Sequence, residues 1–167
     1  ANSIAIRNGL RGQCETMMMA CSSSNAAIGA AYRAIRHGYL DAALAGGAEA
    51  TFNEGSSRAW EAMKVLAKFD PEHPETCSRP FSKDRTGLVL GDGAVIYMLE
   101  AEEHAKARGA RIYCRLSGYG ASTDAVHIAQ PEVSGQVLAL QACLRDAGLQ
   151  PSDIGYVNAH GTATPTG

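Results

Sequence analysis

Two residues of this 167-residue chain, Cys21 and His160, have types and settings suited to chemistry. Cys21 follows a segment, residues 13–19, that reads as a short strand, and it directly precedes Ser22-Ser23-Ser24 at the start of an alanine-rich helix. That pattern puts its sulfur at a helix N-terminus, where amide donors and the positive end of the helix dipole favour a thiolate. The same amides can hold an oxyanion developing during thioester exchange. Position alone also fits a small buried cysteine, the usual state of a free thiol.

His160 lies in Val157-Asn158-Ala159-His160-Gly161-Thr162-Ala163-Thr164, just beyond an expected strand, where α/β folds present functional groups. A neutral imidazole donates one hydrogen bond while a partner holds its other nitrogen. Thr162 and Thr164, two apart in an extended segment, point the same way and can bond a ligand amide. Read alone, His160 also fits a satisfied loop histidine. The remaining candidates have plainer explanations: Cys143 falls inside an expected helix, Cys114 and Cys14 inside strands, and Cys77 in a proline-bearing loop. His37, His73 and His104 read as solvated, and His127 stands out only through its setting in Ser122-Thr123-Asp124-Ala125-Val126-His127.

The elements that must carry these groups follow from periodicity and stop signals. Residues 1–8 read as the last turns of a helix stopped by Gly9. Residues 22–37, with Ala26, Ala27, Ala30, Ala31, Ala34 and Ile35 at helical spacing and Gly38 after the last turn, form the strongest helix. Its small side chains predict close packing on a sheet. Residues 41–48 read as a strand running into a tight glycine turn, 54–64 as an amphipathic helix, and 67–80, with Pro71, Pro74 and Pro80, as a loop. Strands are expected at 94–99, 112–116 and 154–157, and helices at 102–108 and 134–147, stopped by Gly109 and Gly148. Such alternation implies an α/β layered fold with helices on a largely buried sheet.

Composition narrows the functional classes. The chain is 46% apolar and 19% charged, which fits an ordinary globular domain or a piece of a larger one. Its formal charge of -2 comes from dispersed residues, so neither nucleic acid nor an anionic membrane is an expected partner. No apolar run approaches a membrane span, and no signal-peptide pattern opens the chain, which gives a cytoplasmic expectation. Five cysteines without a close C-x-x-C pair argue against a disulfide framework and a zinc site, so no metal is expected. The chain opens in mid-helix and closes directly after the His160 segment, as a fragment would.

Ala20-Cys21-Ser22-Ser23, Ala45-Gly46-Gly47-Ala48-Glu49, Arg79-Pro80-Phe81, Gly91-Asp92-Gly93-Ala94 and Asn158-Ala159-His160-Gly161-Thr162-Ala163-Thr164, in that order, closely resemble β-ketoacyl-acyl-carrier-protein synthases. The likeness is greatest to the elongating type II kind of fatty-acid or polyketide assembly, through the segments at 102–110 and 155–160. The resemblance implies a thiolase-like fold of α-β-α-β-α layers. It makes residues 1–109 the later part of the N-terminal half, with the nucleophilic cysteine, and 110–167 the beginning of the C-terminal half, with the first active-site histidine. It assigns the nucleophile to Cys21, that histidine to His160, and phosphopantetheine contacts to Thr162 and Thr164. Asp124 and His127 match a loop near the active-site entrance.

The implied reaction is a decarboxylative Claisen condensation: an acyl group held on Cys21 is attacked by malonyl-acyl-carrier protein, with His160 hydrogen-bonding the enolate. No cofactor is implied, since substrates ride on the phosphopantetheine arm of acyl carrier protein. The implied partners are that carrier protein, acyl and malonyl thioesters, and a second subunit in a homodimer or ketosynthase heterodimer. The chain departs from the family pattern at Gln13, Met19, Ser82 and Thr86, and the second histidine, a lysine and a glycine-rich loop belong beyond Gly167. The alternatives are a non-catalytic chain-length partner of the same fold, against which Cys21 argues, a Cys-His thioester hydrolase, and a binding module.

Overall fold

The computed structural model describes residues 1–127 and 130–166, and they fall into two compact units. The first comprises Ala1–Gly47 and Val95–Ile154, the second Ala48–Ala94 and Gly155–Gly167. In chain order the elements are α1 (Asn2–Asn8), α2 (Ser23–Arg36), β1 (Ala42–Glu49), α3 (Glu54–Ala62), β2 (Gly93–Glu100), α4 (Glu102–Ala107) and α5 (Val133–Ala147). Single 3-10 turns occupy Pro74–Thr76 and Pro151–Asp153. The expected helices form to within two residues at each end. The glycines that stop α1 and α5, Gly9 and Gly148, adopt the left-handed conformation that such caps need.

In the first unit, small residues let backbones meet. A β-carbon on Gly47 would lie 2.0 Å from the Ser24 hydroxyl oxygen, so the start of α2 rests directly on β1. One on Gly46 would lie 2.0 Å from the Val95 carbonyl oxygen of β2, the strand that pairs with β1. The two glycines thus sit inside β1 as points of close approach, not in the tight turn that their sequence suggests. The same device brings in α5: β-carbons on Gly118 and Gly120 would strike the Cys143 carbonyl at 2.7 Å and the Ala139 carbonyl at 2.2 Å. Gly29 of α2 faces the Tyr119 ring equally closely. Residues 117–120 are therefore held between α2 and α5.

Polar bonds fix that sandwich. Arg36 reaches Asp146 at 2.6 Å, and Asp146 accepts the Tyr119 amide at 2.9 Å. Tyr32 donates its hydroxyl to the Ser117 carbonyl at 3.0 Å, and Arg33 lies 5.0 Å from the centre of the Tyr119 ring. The amide of Tyr119, with Tyr32 and Arg36, holds the Asp146 carboxyl below its ordinary range.

The second unit is tied by loop bonds. Asn53 caps α3 by accepting the Ser56 amide at 2.9 Å. Asp92 of the Gly-Asp-Gly segment accepts the Thr51 amide at 2.6 Å, and a bridge joins Leu66 to Leu88 through bonds of 2.8 and 2.9 Å. Cys77 is buried in the proline-bearing loop, where its sulfur accepts the Asp70 amide at 3.4 Å.

Several expectations need correction. Among the described residues the strands foreseen at 13–19, 112–116 and 154–157 do not form; only an isolated bridge joins Met19 to Cys21. A strand is fixed by its neighbour's hydrogen bonds, and among the described residues these segments lie beside no paired strand. Nor is the sheet largely buried in this structure: Val95, Ile96, Tyr97 and Met98 of β2 are all exposed, and the buried apolar residues among those described are Ala26, Ala45, Cys77, Ala105 and Ala163. His104 is not merely solvated, since its Nδ1 lies 2.5 Å from Glu100 Oε1. Glu100, only 8% exposed, also accepts two bonds of 2.6 Å from Arg108.

Two measurements on the full-length protein test this packing. Gly46→Ala must displace backbone and is expected to lower stability by about 1–3 kcal/mol or more. Gly91→Ala, with nothing within 4 Å of its added carbon, should change it by no more than about 0.5 kcal/mol. Denaturant melting checks both.

The Arg108 bonds, helped by His104, pull the Glu100 carboxyl down to about 2 from 4.5. A depressed carboxyl stabilises the fold above its unfolded value, and that contribution is lost as pH falls from about 4.5 toward about 2. Glu100→Gln should therefore flatten the decline of stability across that window, read as the denaturant midpoint at successive pH values. An unchanged slope would remove Glu100 from the acid response.

Candidate active site

Cys21 is presented by an elbow immediately before α2. Ala20 adopts φ 48°, a left-handed conformation that costs an alanine about 1–2 kcal/mol. The turn is held by its own bonds: the Ser22 and Ser23 amides each donate at 3.1 Å, to the Met19 and Ala20 carbonyls. The Ser22 and Ser23 hydroxyls donate to the same two carbonyls at 2.8 and 2.7 Å, and the Met19 amide donates to Ser23 Oγ at 2.8 Å. Both serines thus lock the elbow and leave α2 without a side-chain cap. Cys21 is exposed in this structure, in contrast to the buried Cys77. A cavity of about 190 Å³ lies next to it, lined by Met19, Ser22, Asn25, Tyr119, Ser122 and Ala139 among others.

The other thiols lack such a setting. Cys143 lies within α5 and Cys77 is buried. Cys14 and Cys114 are exposed but fall outside any described strand or helix, and Cys14 donates to Asn2 Oδ1 at 3.0 Å.

His160, Thr162 and Thr164 belong to the second unit, Cys21 to the first. The His160 side chain is exposed and makes no hydrogen bond among the described residues, and the backbone that follows it is the ordered part of the segment. Gly161 takes φ 53°, and a β-carbon there would stand 3.2 Å from the Phe81 ring and 3.6 Å from Pro80. Ala163 takes φ 63° and is only 1% exposed. Thr162 and Thr164 do point the same way, with hydroxyl oxygens 2.9 Å apart. The carbonyls of Thr164 and Pro165 accept from Arg85 at 2.9 and 2.8 Å. Arg85 escaped sequence reasoning because its partners are backbone carbonyls, which leave no mark in the residue types.

The turn that carries Arg85 is itself ordered. Phe81 has φ 65°, Arg79 pairs with Asp84 at 2.9 Å, and the Ser82 hydroxyl, reinforced by Arg79, holds the Asp84 carboxyl below its ordinary value. In the first unit, Asp124 accepts the Glu132 amide at 2.8 Å and abuts Gly135 of α5, while Ser122 donates to the Gly135 carbonyl at 2.6 Å. Those bonds make the 122–127 segment a brace for the start of α5. Among the described residues no group of three His, Cys, Asp or Glu is placed to hold a metal ion.

The Phe81 contact and the left-handed backbone give Gly161→Ala two separable penalties. Its total should exceed the roughly 1–2 kcal/mol of backbone strain. Introduced together with Phe81→Ala, it should keep the strain and lose the steric part, a coupling that a double-mutant cycle of denaturation energies measures. Additive penalties would show that the ring does not confine the loop.

Comparison with known proteins gives the chain's relatives. Residues 1–105 match the family model of the β-ketoacyl synthase N-terminal domain, and residues 113–167 that of the C-terminal domain. Nodulation protein E of Rhizobium sp. (strain N33) is 48% identical over 98% of the chain, and 3-oxoacyl-[acyl-carrier-protein] synthase 2 of Vibrio cholerae 47% identical over 100%. The chain spans 39% and 41% of those relatives' own lengths. A type II polyketide ketosynthase, solved in complex with its acyl-carrier protein and bound to the hexaketide, superposes with a TM-score of 0.95 at 33% identity, covering 99% of this chain and 41% of that one. The fold is accordingly part of the thiolase-like ketosynthase architecture, and the chain belongs to the β-ketoacyl synthase family.

Proposed function

We propose that the protein carrying this chain is a condensing acyltransferase that joins an acyl thioester to malonyl-acyl-carrier protein in fatty-acid or polyketide assembly. The observation that carries the proposal is the exposed Cys21 on a strained, hydrogen-bonded elbow at the start of α2. In the first half-reaction the Cys21 sulfur attacks the acyl carbonyl, the carrier thiol leaves with a proton, and a thioester forms on the protein. In the second, malonyl thioester loses carbon dioxide and the electrons of the broken bond form an enolate. His160 donates a hydrogen bond to the enolate oxygen, and the enolate carbon attacks the Cys21 thioester. Sulfur departs as thiolate, leaving a 3-oxoacyl thioester on the carrier.

Thr162 and Thr164 are proposed to bond the amides of the phosphopantetheine arm, an assignment supported by their paired hydroxyls. Acyl carrier protein as partner is supported by the related ketosynthase solved in complex with its own. The second subunit is proposed to be an identical chain or a ketosynthase-like partner. A cytoplasmic setting accords with five cysteines that are all free thiols. The proposed boundary near residue 109, between the two halves, is supported by the family models, which end at 105 and resume at 113.

Intact mass after incubation with acyl-carrier protein tests the nucleophile: one acyl adduct is expected, absent from Cys21→Ala. An adduct that persists in that variant would exclude Cys21. His160→Ala should load normally but lose carbon-dioxide release from malonyl-carrier protein by roughly 3 kcal/mol of barrier, the scale of one oxyanion donor. Equal loss of both half-reactions would reject the division of roles, and hydrolysis of the loaded acyl group without condensation would favour a Cys-His hydrolase.

A further inference from the structure

We infer that Arg85 is the positioning residue for His160, so that it governs decarboxylation and not acyl transfer to Cys21; this rests on the function proposed above. Its guanidinium spreads over three backbone carbonyls: Nε on Thr164 at 2.9 Å, Nη2 on Pro165 at 2.8 Å and Nη1 on Ser82 at 3.1 Å. Two of these lie about eighty residues away in sequence and close the segment that His160 opens. Among the described residues no carboxylate pairs with Arg85, and the nearest in sequence, Asp84, is taken by Arg79. The cation is thus devoted to carbonyls, each a charge-assisted bond.

The far end of the segment is confined as well. Pro80 and the Phe81 ring stand against Gly161, on the same turn that carries Arg85. Between the two contacts lie the buried Ala163 and the joined hydroxyls of Thr162 and Thr164. The 80–85 turn therefore grips the residues after His160 at both ends, while among the described residues the imidazole has no side-chain bond of its own. A lysine cannot reproduce the grip, because its single point charge cannot serve three carbonyls in a planar fork. Releasing the segment shifts the donor relative to the enolate, and a displacement of about 1 Å costs roughly 10²-fold in rate.

The experiment uses the full-length protein with Arg85→Ala and Arg85→Lys, reading acyl loading on Cys21 by intact mass and carbon-dioxide release from malonyl-carrier protein separately. Wild-type loading with release reduced roughly 10–100-fold is expected for both variants. Guanidinium ion added to Arg85→Ala is expected to restore part of the release, which a merely structural role would not allow. Loading and release falling together, or both staying at wild-type level in Arg85→Lys, would overturn the inference. A wild-type protein that neither loads Cys21 nor releases carbon dioxide would instead overturn the proposed function.

Discussion

The contact between Ser24 and Gly47 sets the place of everything around Cys21. With no side chain on Gly47, the first turn of α2 descends onto the β1 backbone, and Ser24 occupies the volume where a β-carbon would stand. A helix start held that close leaves the preceding residues little room to turn. The chain meets this constraint at Ala20, whose left-handed backbone is stabilised by the doubled bonds that Ser22 and Ser23 make to Met19 and Ala20. Such strain persists only where surrounding bonds over-determine the conformation, as they do here.

Left-handed, non-glycine residues recur in the segments proposed to carry chemistry and in those packed beside them. Ala20 precedes Cys21, Ala163 stands between Thr162 and Thr164, Phe81 confines Gly161, and Ala125 lies in the segment that braces α5. Lys64, after α3, is the remaining one among the described residues. Alanine tolerates this region better than a β-branched residue would, and three of the five are alanines. Strain of this kind orients neighbouring side chains without adding bulk beside them.

The helices were legible because their signals are local. Apolar spacing gives each its register, and a glycine follows α1, α4 and α5 within two residues. The residue patterns at 112–116 and 154–157 suggest strands that do not form among the described residues, because pairing depends on a neighbour that the pattern of one segment does not reveal. Gly46 and Gly47 are ambiguous in sequence because glycine signals a tight turn and a close backbone approach alike, and only the facing Ser24 and Val95 decide between them. Cys21, His160, Thr162 and Thr164 are proposed from residue type and order, with the family resemblance. Arg85 did not, since a guanidinium on carbonyls pairs with no particular residue type.

The two proposed chemical groups are supported by different physics, and the difference suits their tasks. The sulfur of Cys21 must be reached by a thioester and must itself become covalently attached, so it needs exposure on a rigid approach; a helix start seated on a strand provides that. His160 forms no covalent bond in the proposed reaction and contributes a single directed hydrogen bond, whose worth depends on its angle and distance to an oxygen that exists only transiently. An exposed imidazole cannot hold such geometry by its own contacts. On the inference drawn above, the burden passes to the backbone behind it, where left-handed Gly161 and Ala163, a pair of bonded hydroxyls and one three-pronged arginine hold residues 161–165.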